Sequence, residues 1–124
     1  MIAADSSALI SFFTGEKSEA VEQVAAAFAG SNICLPPPVL AEMLSDPATR
    51  KEMSATVLDF PLLPLLDGYW ERAGLARGLL RQRGLKAKLG DALIAQSCID
   101  HGVPLITSDG DFRHFAKYCG LKLA

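Results

Sequence analysis

Short apolar runs alternate with longer segments of helical periodicity along the chain. This alternation is typical of βαβ units arranged around a mostly parallel sheet. The apolar runs predict strands at residues 2–4, 32–35, 103–107 and 121–123, and a fifth within 58–66. Because two prolines interrupt the run at 58–66, that strand should be short or lie at a sheet edge. The pattern therefore predicts an α/β fold with three layers, α/β/α, and a mostly parallel sheet of four or five strands.

Helical periodicity fills the segments between these strands. Helices are predicted at 17–30, from Pro38 to the break at 46–47, at 48 to about 57, from 67 to about 84, at 89–101 and at 111 to about 119. The apolar face of the helix at 17–30 is formed by Val21, Val24, Ala25 and Phe28. The helix after Asp67, its predicted N-cap, has a face formed by Tyr69, Ala73, Ala76 and Leu80.

Composition narrows the class of protein. The chain has 124 residues, half of them hydrophobic and 21% charged, so it should form a single domain over residues 1–124 without structural metal or disulfides. Three cysteines without a CxxC pair are expected to be reduced thiols in the core. The uncharged stretch at 23–41 contains three consecutive prolines, which excludes a membrane span there. The first residues, MIAAD, lack the basic region of a signal peptide, so we expect a cytoplasmic protein.

The charge is unevenly distributed although its sum is only −2. Six of the twelve basic residues lie between Glu71 and Asp91 in a stretch without any acid. They are Arg72, Arg77, Arg81, Arg83, Lys86 and Lys88. Such a stretch can face a polyanion such as nucleic acid, or it can be an ordinary solvated helix face. The charge pattern alone leaves both interpretations open.

Four acidic residues stand at positions where a parallel α/β sheet forms its sites. Asp5 and Asp109 follow predicted strands, and ligands bind beyond the carboxyl ends of such strands. Glu42 in VLAEML and Asp91 in LGDALIA are embedded in apolar helical segments. An ionised carboxylate facing the interior needs a partner, and the sequence offers no base near any of the four in a matching register. A divalent cation would satisfy all four, and oxygen ligands favour magnesium or manganese over zinc.

Each acid also has a purely structural interpretation. Asp91, Asp109 and Asp5 can be helix caps or turn residues, the last for a short helix through Phe13, and Glu42 can simply be exposed. Spacings typical of phosphate-binding loops, dinucleotide folds, serine hydrolases and HExxH zinc proteases are absent from the sequence. The coincidence of two strand ends and two helix faces, each with an acid, favours a metal site.

The chain resembles the PIN-domain ribonucleases, and among them the VapC-type toxins of bacterial toxin–antitoxin pairs. The resemblance extends over essentially the whole chain. It lies in four motifs, which are DSSALI at 5–10, LAEML around Glu42, GDALIA at 90–95 and PLITSDGDF at 104–112. It implies a parallel sheet sandwiched by helices, in agreement with the pattern of strands and helices. The departures are Ser108 and Gly110, where many relatives have basic or other polar residues.

The resemblance implies a specific site and activity. The family's acidic quartet corresponds to Asp5, Glu42, Asp91 and Asp109, and its supporting residues correspond to Ser7, Thr107 and Asp111. The quartet would hold one or two Mg²⁺ ions, with Mn²⁺ as a substitute, for hydrolysis of RNA phosphodiester bonds. Without metal, at least one clustered carboxylate should have a raised pKa. The bases from Arg72 to Lys88, together with Arg113, would contact the RNA backbone or a cognate VapB-like antitoxin, and the protein would be a homodimer.

Two other functions remain open from the sequence. A phosphoacceptor receiver domain has a similar length and fold, and Asp59 in VLDF would be its phosphorylated residue. Receivers, however, need a pair of acids after the first strand, where this chain has Asp5 followed by two serines. The other possibility is a PIN-like module that binds RNA or a partner without cutting it.

Overall fold

A computed structural model describes residues 1–47, 49 and 51–124, and its elements alternate as the sequence predicts. Three strands and seven α-helices are described, with a 3₁₀ turn at Gly110–Phe112 before the last helix. In chain order they are β1 (Ile2–Ala4), α1 (Ser6–Phe13), α2 (Glu19–Ala29), β2 (Ile33–Cys34), α3 (Pro37–Ser45), α4 (Lys51–Asp59), α5 (Tyr69–Gln82), α6 (Leu89–His101), β3 (Leu105–Ile106) and α7 (Arg113–Cys119). The helix predicted from residue 48 corresponds to α4, and its predicted start at Ala48 lies outside the described residues. None of the described helices is long and apolar enough to cross a bilayer.

The sheet has the order β2-β1-β3, and both strand pairs are parallel. Its described part has three strands, so the predicted number of four or five is wrong. The two predicted outer strands are reduced to single parallel bridges, at Leu62 beside Leu35 and at Leu123 beside Leu105. Pro61 and Pro64 have no N–H to donate, which prevents the pairing at Leu62 from extending into a ladder. The α/β class and the parallel arrangement of the sheet are confirmed.

The predicted helix faces agree with the core except on α2. Tyr69, Ala73 and Leu80 of α5 are buried as predicted, and Ala76 is half-buried. On α2, Val24 is buried, but Phe28 is 43% exposed and Ala25 is also exposed. The buried face of this helix instead includes Ala20 and Ala27. The Phe28 ring stays at the surface because it packs between two other rings, with centroids 5.9 Å from those of Phe12 and Phe60.

The start of α5 also differs from the prediction. Its N-cap is Gly68 rather than Asp67, and Gly68 has a φ of 82°, a left-handed conformation that favours glycine. Asp67 contributes its backbone carbonyl instead, which accepts a hydrogen bond from Arg72 Nη1 at 2.8 Å. The prediction of a side-chain cap failed because a cap depends on the exact backbone turn, which an acid one residue away does not determine.

Tyr69 joins α5 to α6. Its side chain is buried, and its hydroxyl donates to the backbone carbonyl of Leu93 at 2.6 Å. We expect Tyr69→Phe to lower the free energy of unfolding by about 1 kcal/mol, because the ring is kept and one hydrogen bond is lost. Urea unfolding would measure the change. The matched control is Tyr118→Phe, which keeps the ring under the Arg83 guanidinium and should leave stability unchanged. A Tyr69→Phe protein as stable as wild type would contradict this role.

Candidate metal centre

The four predicted carboxylates converge on one cleft. Asp5 directly follows β1, Asp109 lies shortly after β3, Glu42 projects from α3, and Asp91 lies in the first turn of α6. The cleft has a volume of about 230 Å³. It is lined by Asp5, Ser6, Ser7, Glu42, Lys88, Gly90, Asp91, Ile94, Asp109 and Phe112. The parallel arrangement of β1 and β3 brings their carboxyl ends together, as expected for a site in this class of sheet.

Asp5 is the buried centre of this cleft. Asp5 is only 3% exposed. One of its carboxylate oxygens accepts hydrogen bonds from the Ser7 hydroxyl at 2.8 Å and from the Ala8 N–H at 2.9 Å. The second carboxylate oxygen accepts from the Thr107 hydroxyl. Burial nevertheless raises the pKa of Asp5 above its ordinary value, against the opposing effect of these hydrogen bonds. The interpretation of Asp5 as the N-cap of α1 is therefore correct, and it is compatible with a second role in the cleft.

The two predicted hydroxyl residues connect the ends of β1 and β3. Thr107 donates to Asp5 and accepts a hydrogen bond from the backbone N–H of Asp109 at 2.9 Å. The Ser7 hydroxyl donates to Asp5 and accepts from the Ser108 N–H at 3.2 Å. Both side chains thus orient the Asp5 carboxylate and fix the loop that contains Asp109.

Asp91 is half-buried and lies next to the buried face of α6. The interpretation of Asp91 as an N-cap is wrong, because Lys88 occupies the cap position and Asp91 is the third residue of the helix. Desolvation, followed by the charge of Asp109, raises the pKa of Asp91 to about 6, while Lys88 opposes the rise. The expected raised pKa in a metal-free cluster is confirmed at this residue.

Asp109 and Asp111 complete a compact group with Asp91. Each of the three offers a carboxylate oxygen, and these oxygens lie within 4.8 Å of one another. Asp109 is fixed as the cap of the 3₁₀ turn, where it accepts from the Asp111 N–H at 2.9 Å. Carboxylates this close together can converge on one hard cation, and oxygen ligands suit Mg²⁺ or Mn²⁺. The three carboxylates therefore could hold a metal ion.

Glu42 lies outside this compact group, on the α3 side of the cleft. It is exposed, and its Oε1 accepts from the Ser6 hydroxyl at 3.2 Å. Its pKa is raised mainly by partial desolvation and further by the charge of Asp5. The interpretation of Glu42 as an exposed residue is correct. Its side chain nevertheless lines the same cleft as the other acids.

Two of the seven predicted basic contact residues, both on α5, have guanidinium groups that donate hydrogen bonds within the fold. Arg72 forms a two-pronged ion pair with Asp100, with N–O distances of 2.9 and 2.7 Å. Arg77 donates through Nε to the backbone carbonyl of Ala87 at 2.8 Å. The first contact joins α5 to α6, and the second joins α5 to the segment that precedes α6, which leaves these side chains little freedom to reach a ligand.

The remaining basic residues divide into a surface group and a cleft group. Arg81, Arg83 and Arg113 are exposed, and Arg83 stacks on Tyr118 with 4.5 Å from Cζ to the ring centroid. Lys86 Nζ lies 3.1 Å from Asp111 Oδ2, and Lys88 lines the acidic cleft itself. The prediction that no base lies near the acids is therefore wrong. The Lys-Ala-Lys sequence before α6 could have indicated two bases near the cleft, since alternate residues of an extended segment project to the same side.

The fold and this cleft define an α/β protein with a candidate site for a divalent cation. The family model of the PIN domain matches residues 2–118, and the chain belongs to this family. The receiver alternative is therefore wrong, and Asp59 is an exposed residue at the end of α4 rather than a residue at a strand end in the acidic cleft.

Solved structures support the same fold. The chain is similar to the crystal structure of VapBC2 from Rickettsia felis bound to a DNA fragment from their promoter, with a TM-score of 0.70, 20% identity, and coverage of 100% of this chain and 98% of that one. It is also similar to VapBC-5 of Mycobacterium tuberculosis, a member of the VapBC family of toxin-antitoxin systems. There the TM-score is 0.68, the identity is 20%, and the coverage is 98% and 95%. A comparison with curated protein sequences finds no significant match.

Proposed function

We propose that the protein is a metal-dependent endoribonuclease that hydrolyses RNA phosphodiester bonds, formed as one nuclease domain over residues 1–124. The observation that supports this most directly is the convergence of Asp5, Glu42, Asp91 and Asp109 on one cleft at the carboxyl ends of β1 and β3. Membership of the PIN family agrees with a nuclease. We assign these four residues as the metal-binding and catalytic set, with Asp111, Ser7 and Thr107 in support.

The donor set fits a hard divalent cation. The site offers carboxylate oxygens without a histidine or cysteine ligand in its lining, which favours Mg²⁺, with Mn²⁺ as a substitute. When bound, such an ion would lower the pKa of a bound water and stabilise charge on the phosphoryl oxygens. Asp5, Glu42, Asp91 and Asp109 would hold it, and Asp111, whose carboxylate lies close to those of Asp91 and Asp109, would support them.

The protein's own residues contribute preorganisation. Asp5 is oriented by three donors, and Asp109 is oriented by its cap interaction, so neither carboxylate has to be ordered when ligands bind. The raised pKa values of Asp5, Glu42 and Asp91 indicate that the free cleft holds more negative charge than its surroundings stabilise. A cation and a phosphate backbone would be bound together, because the cation cancels the charge that repels the RNA.

We further propose that the protein is the toxin of a toxin–antitoxin pair, with a VapB-like antitoxin as its partner. The similarity of its fold to two VapBC structures over nearly the whole chain supports this assignment. We also propose that the protein is located in the cytoplasm and forms a homodimer. Light scattering of the purified protein would test the dimer, and a monomeric mass would contradict it.

Metal removal tests the nuclease. Purified protein, freed of any bound partner, would be incubated with total RNA in Mg²⁺, in EDTA, and in EDTA followed by excess Mg²⁺. We expect internal cleavage in Mg²⁺, background cleavage in EDTA, and recovery when Mg²⁺ is restored. Asp59→Asn is the matched control, since it removes an exposed carboxylate outside the cleft and should cut like wild type. Cleavage that EDTA does not affect would contradict the metal requirement, and a protein that binds RNA without cutting it would support the non-cutting alternative.

A further inference from the structure

The segment between α5 and α6, residues 85–88, presents two lysines to the acidic cleft. Ala87 is buried and points into the core, whereas Lys86 and Lys88 on either side of it are exposed. The backbone of Lys88 is extended, with φ −69° and ψ 147°. In an extended segment, residues two apart project to the same side, opposite the residue between them. Lys86 accordingly reaches Asp111, and Lys88 lies among Glu42, Asp91 and Asp109.

Arg77 anchors this segment from α5. Its Nε donates to the Ala87 carbonyl at 2.8 Å, and Arg77 is half-buried. The buried Ala87 methyl and this hydrogen bond fix the backbone between Lys86 and Lys88. Lys86 has a partner in Asp111. Lys88 is the basic side chain that lines the cleft in the part of the chain that the structure describes.

A cation in the wall of this cleft has a chemical use in the proposed reaction. The carboxylates attract a metal ion but repel the phosphate backbone, so the substrate needs a positive contact close to the reacting group. An exposed lysine ammonium is a compact charge that can bind one phosphate oxygen without a fixed orientation. The two-pronged Arg72 pair offers no such free charge, because Asp100 already neutralises it.

We infer that Lys88 contacts a non-bridging oxygen of the RNA phosphate that is cut, and that Arg77 positions Lys88 through the Ala87 carbonyl. This inference rests on the proposed ribonuclease function and extends it to a substrate contact within the cleft. Lys88 is thus a catalytic residue because it touches the reacting phosphate, whereas Arg77 is a positioning residue. Lys86 keeps Asp111 oriented toward Asp91 and Asp109.

Variants of Lys88 test the substrate contact by cleavage of a labelled RNA at several salt concentrations. We expect Lys88→Met to lower kcat/KM about 10- to 100-fold, the range for a lost charged hydrogen bond. The plot of log kcat/KM against log salt should become less steep by about 0.7, the value for one phosphate contact on a single strand. Lys88→Arg should keep the wild-type slope. Lys122→Met removes an equal charge outside the cleft and should change neither quantity.

Two further measurements separate contact from structure. Mn²⁺ affinity of Lys88→Met should equal or exceed that of wild type, because a positive charge beside the ligands has been removed. Arg77→Met should lower kcat by about 3- to 10-fold with an unchanged salt slope, because the Lys88 cation is kept but less well placed. Arg77→Lys, which keeps a donor at this position, should recover part of the loss.

The outcomes distinguish this inference from the proposed function. If wild type cuts RNA in Mg²⁺ and Lys88→Met, confirmed to be folded by circular dichroism, cuts equally well with the same salt slope, the contact is overturned and the nuclease stands. If Lys88→Met unfolds, Lys88→Gln replaces it in the same comparison. If wild type itself does not cut, the proposed function fails and the inference fails with it.

Discussion

Replacing Asp91 with asparagine is expected to reduce RNA cleavage at least 100-fold and to stabilise the protein when no metal is present. The loss of activity follows from the loss of a charged ligand in the group formed with Asp109 and Asp111. Asparagine is nearly the same size and keeps an oxygen, so the shape of the cleft should survive. Cleavage under saturating Mg²⁺ would measure the effect, and Asp59→Asn serves again as the control.

The gain in stability follows from the raised pKa of Asp91, about 6. The folded state binds this proton more tightly than the unfolded chain does. The protonated carboxyl therefore contributes its full stabilisation of the fold below about pH 4, near the pKa of the unfolded chain. That effect is lost as pH rises from about 4 to about 6, and at pH 7 the ionised group destabilises the fold. Linkage gives at most about 3 kcal/mol, and partial solvation of the carboxylate reduces our expectation to about 1–2 kcal/mol.

Thermal unfolding without metal would test this. We expect Asp91→Asn to raise Tm by about 3–8 °C at pH 7 and by much less at pH 4, where the wild-type carboxyl is largely protonated. Excess Mg²⁺ should stabilise wild type but have little effect on the variant. A variant that is less stable than wild type at pH 7, or that cuts RNA at the wild-type rate, would contradict the role of Asp91.

The central part of the fold was predictable because its signals are local and strong. Each of the three described strands coincides with an apolar run, and burial on both faces requires such a run in a parallel sheet. The extent of the two outer strands was not predictable, since the pairing at Leu62 and Leu123 depends on neighbours distant in sequence. The exposed position of Phe28 depends likewise on the Phe12 and Phe60 rings, which no helical period reveals.

The convergence of the acids was predictable for a related reason. Residues that follow neighbouring parallel strands lie at the same end of the sheet, which brings Asp5 and the loop that contains Asp109 together. The closeness of Lys86 to Asp111 and of Lys88 to Asp91 depends on how residues 85–88 return to α6. That path is determined by the buried Ala87 and its bond to Arg77, two contacts that only the folded chain contains.

Asp5→Ala is expected to destabilise the protein by about 2–4 kcal/mol, in contrast to Asp5→Asn, and to abolish cleavage. Alanine removes the cap of α1, worth about 1 kcal/mol, and leaves the half-buried Thr107 and Ser7 hydroxyls without their acceptor. Asparagine keeps an oxygen for the Ala8 N–H and removes the desolvated charge, so its cost should stay within about 1 kcal/mol.

Chemical unfolding and RNA cleavage, measured on both Asp5 variants, separate the structural role of this residue from its catalytic one. Both variants should lose cleavage, because neither retains a negative charge at the floor of the cleft, but only alanine should lose substantial stability. Equal stability of the two variants would show that the three hydrogen bonds do not determine the contribution of Asp5 to folding. An active Asp5→Asn protein would remove Asp5 from the metal site and leave it as a helix cap alone, since the cap needs an oxygen but no charge.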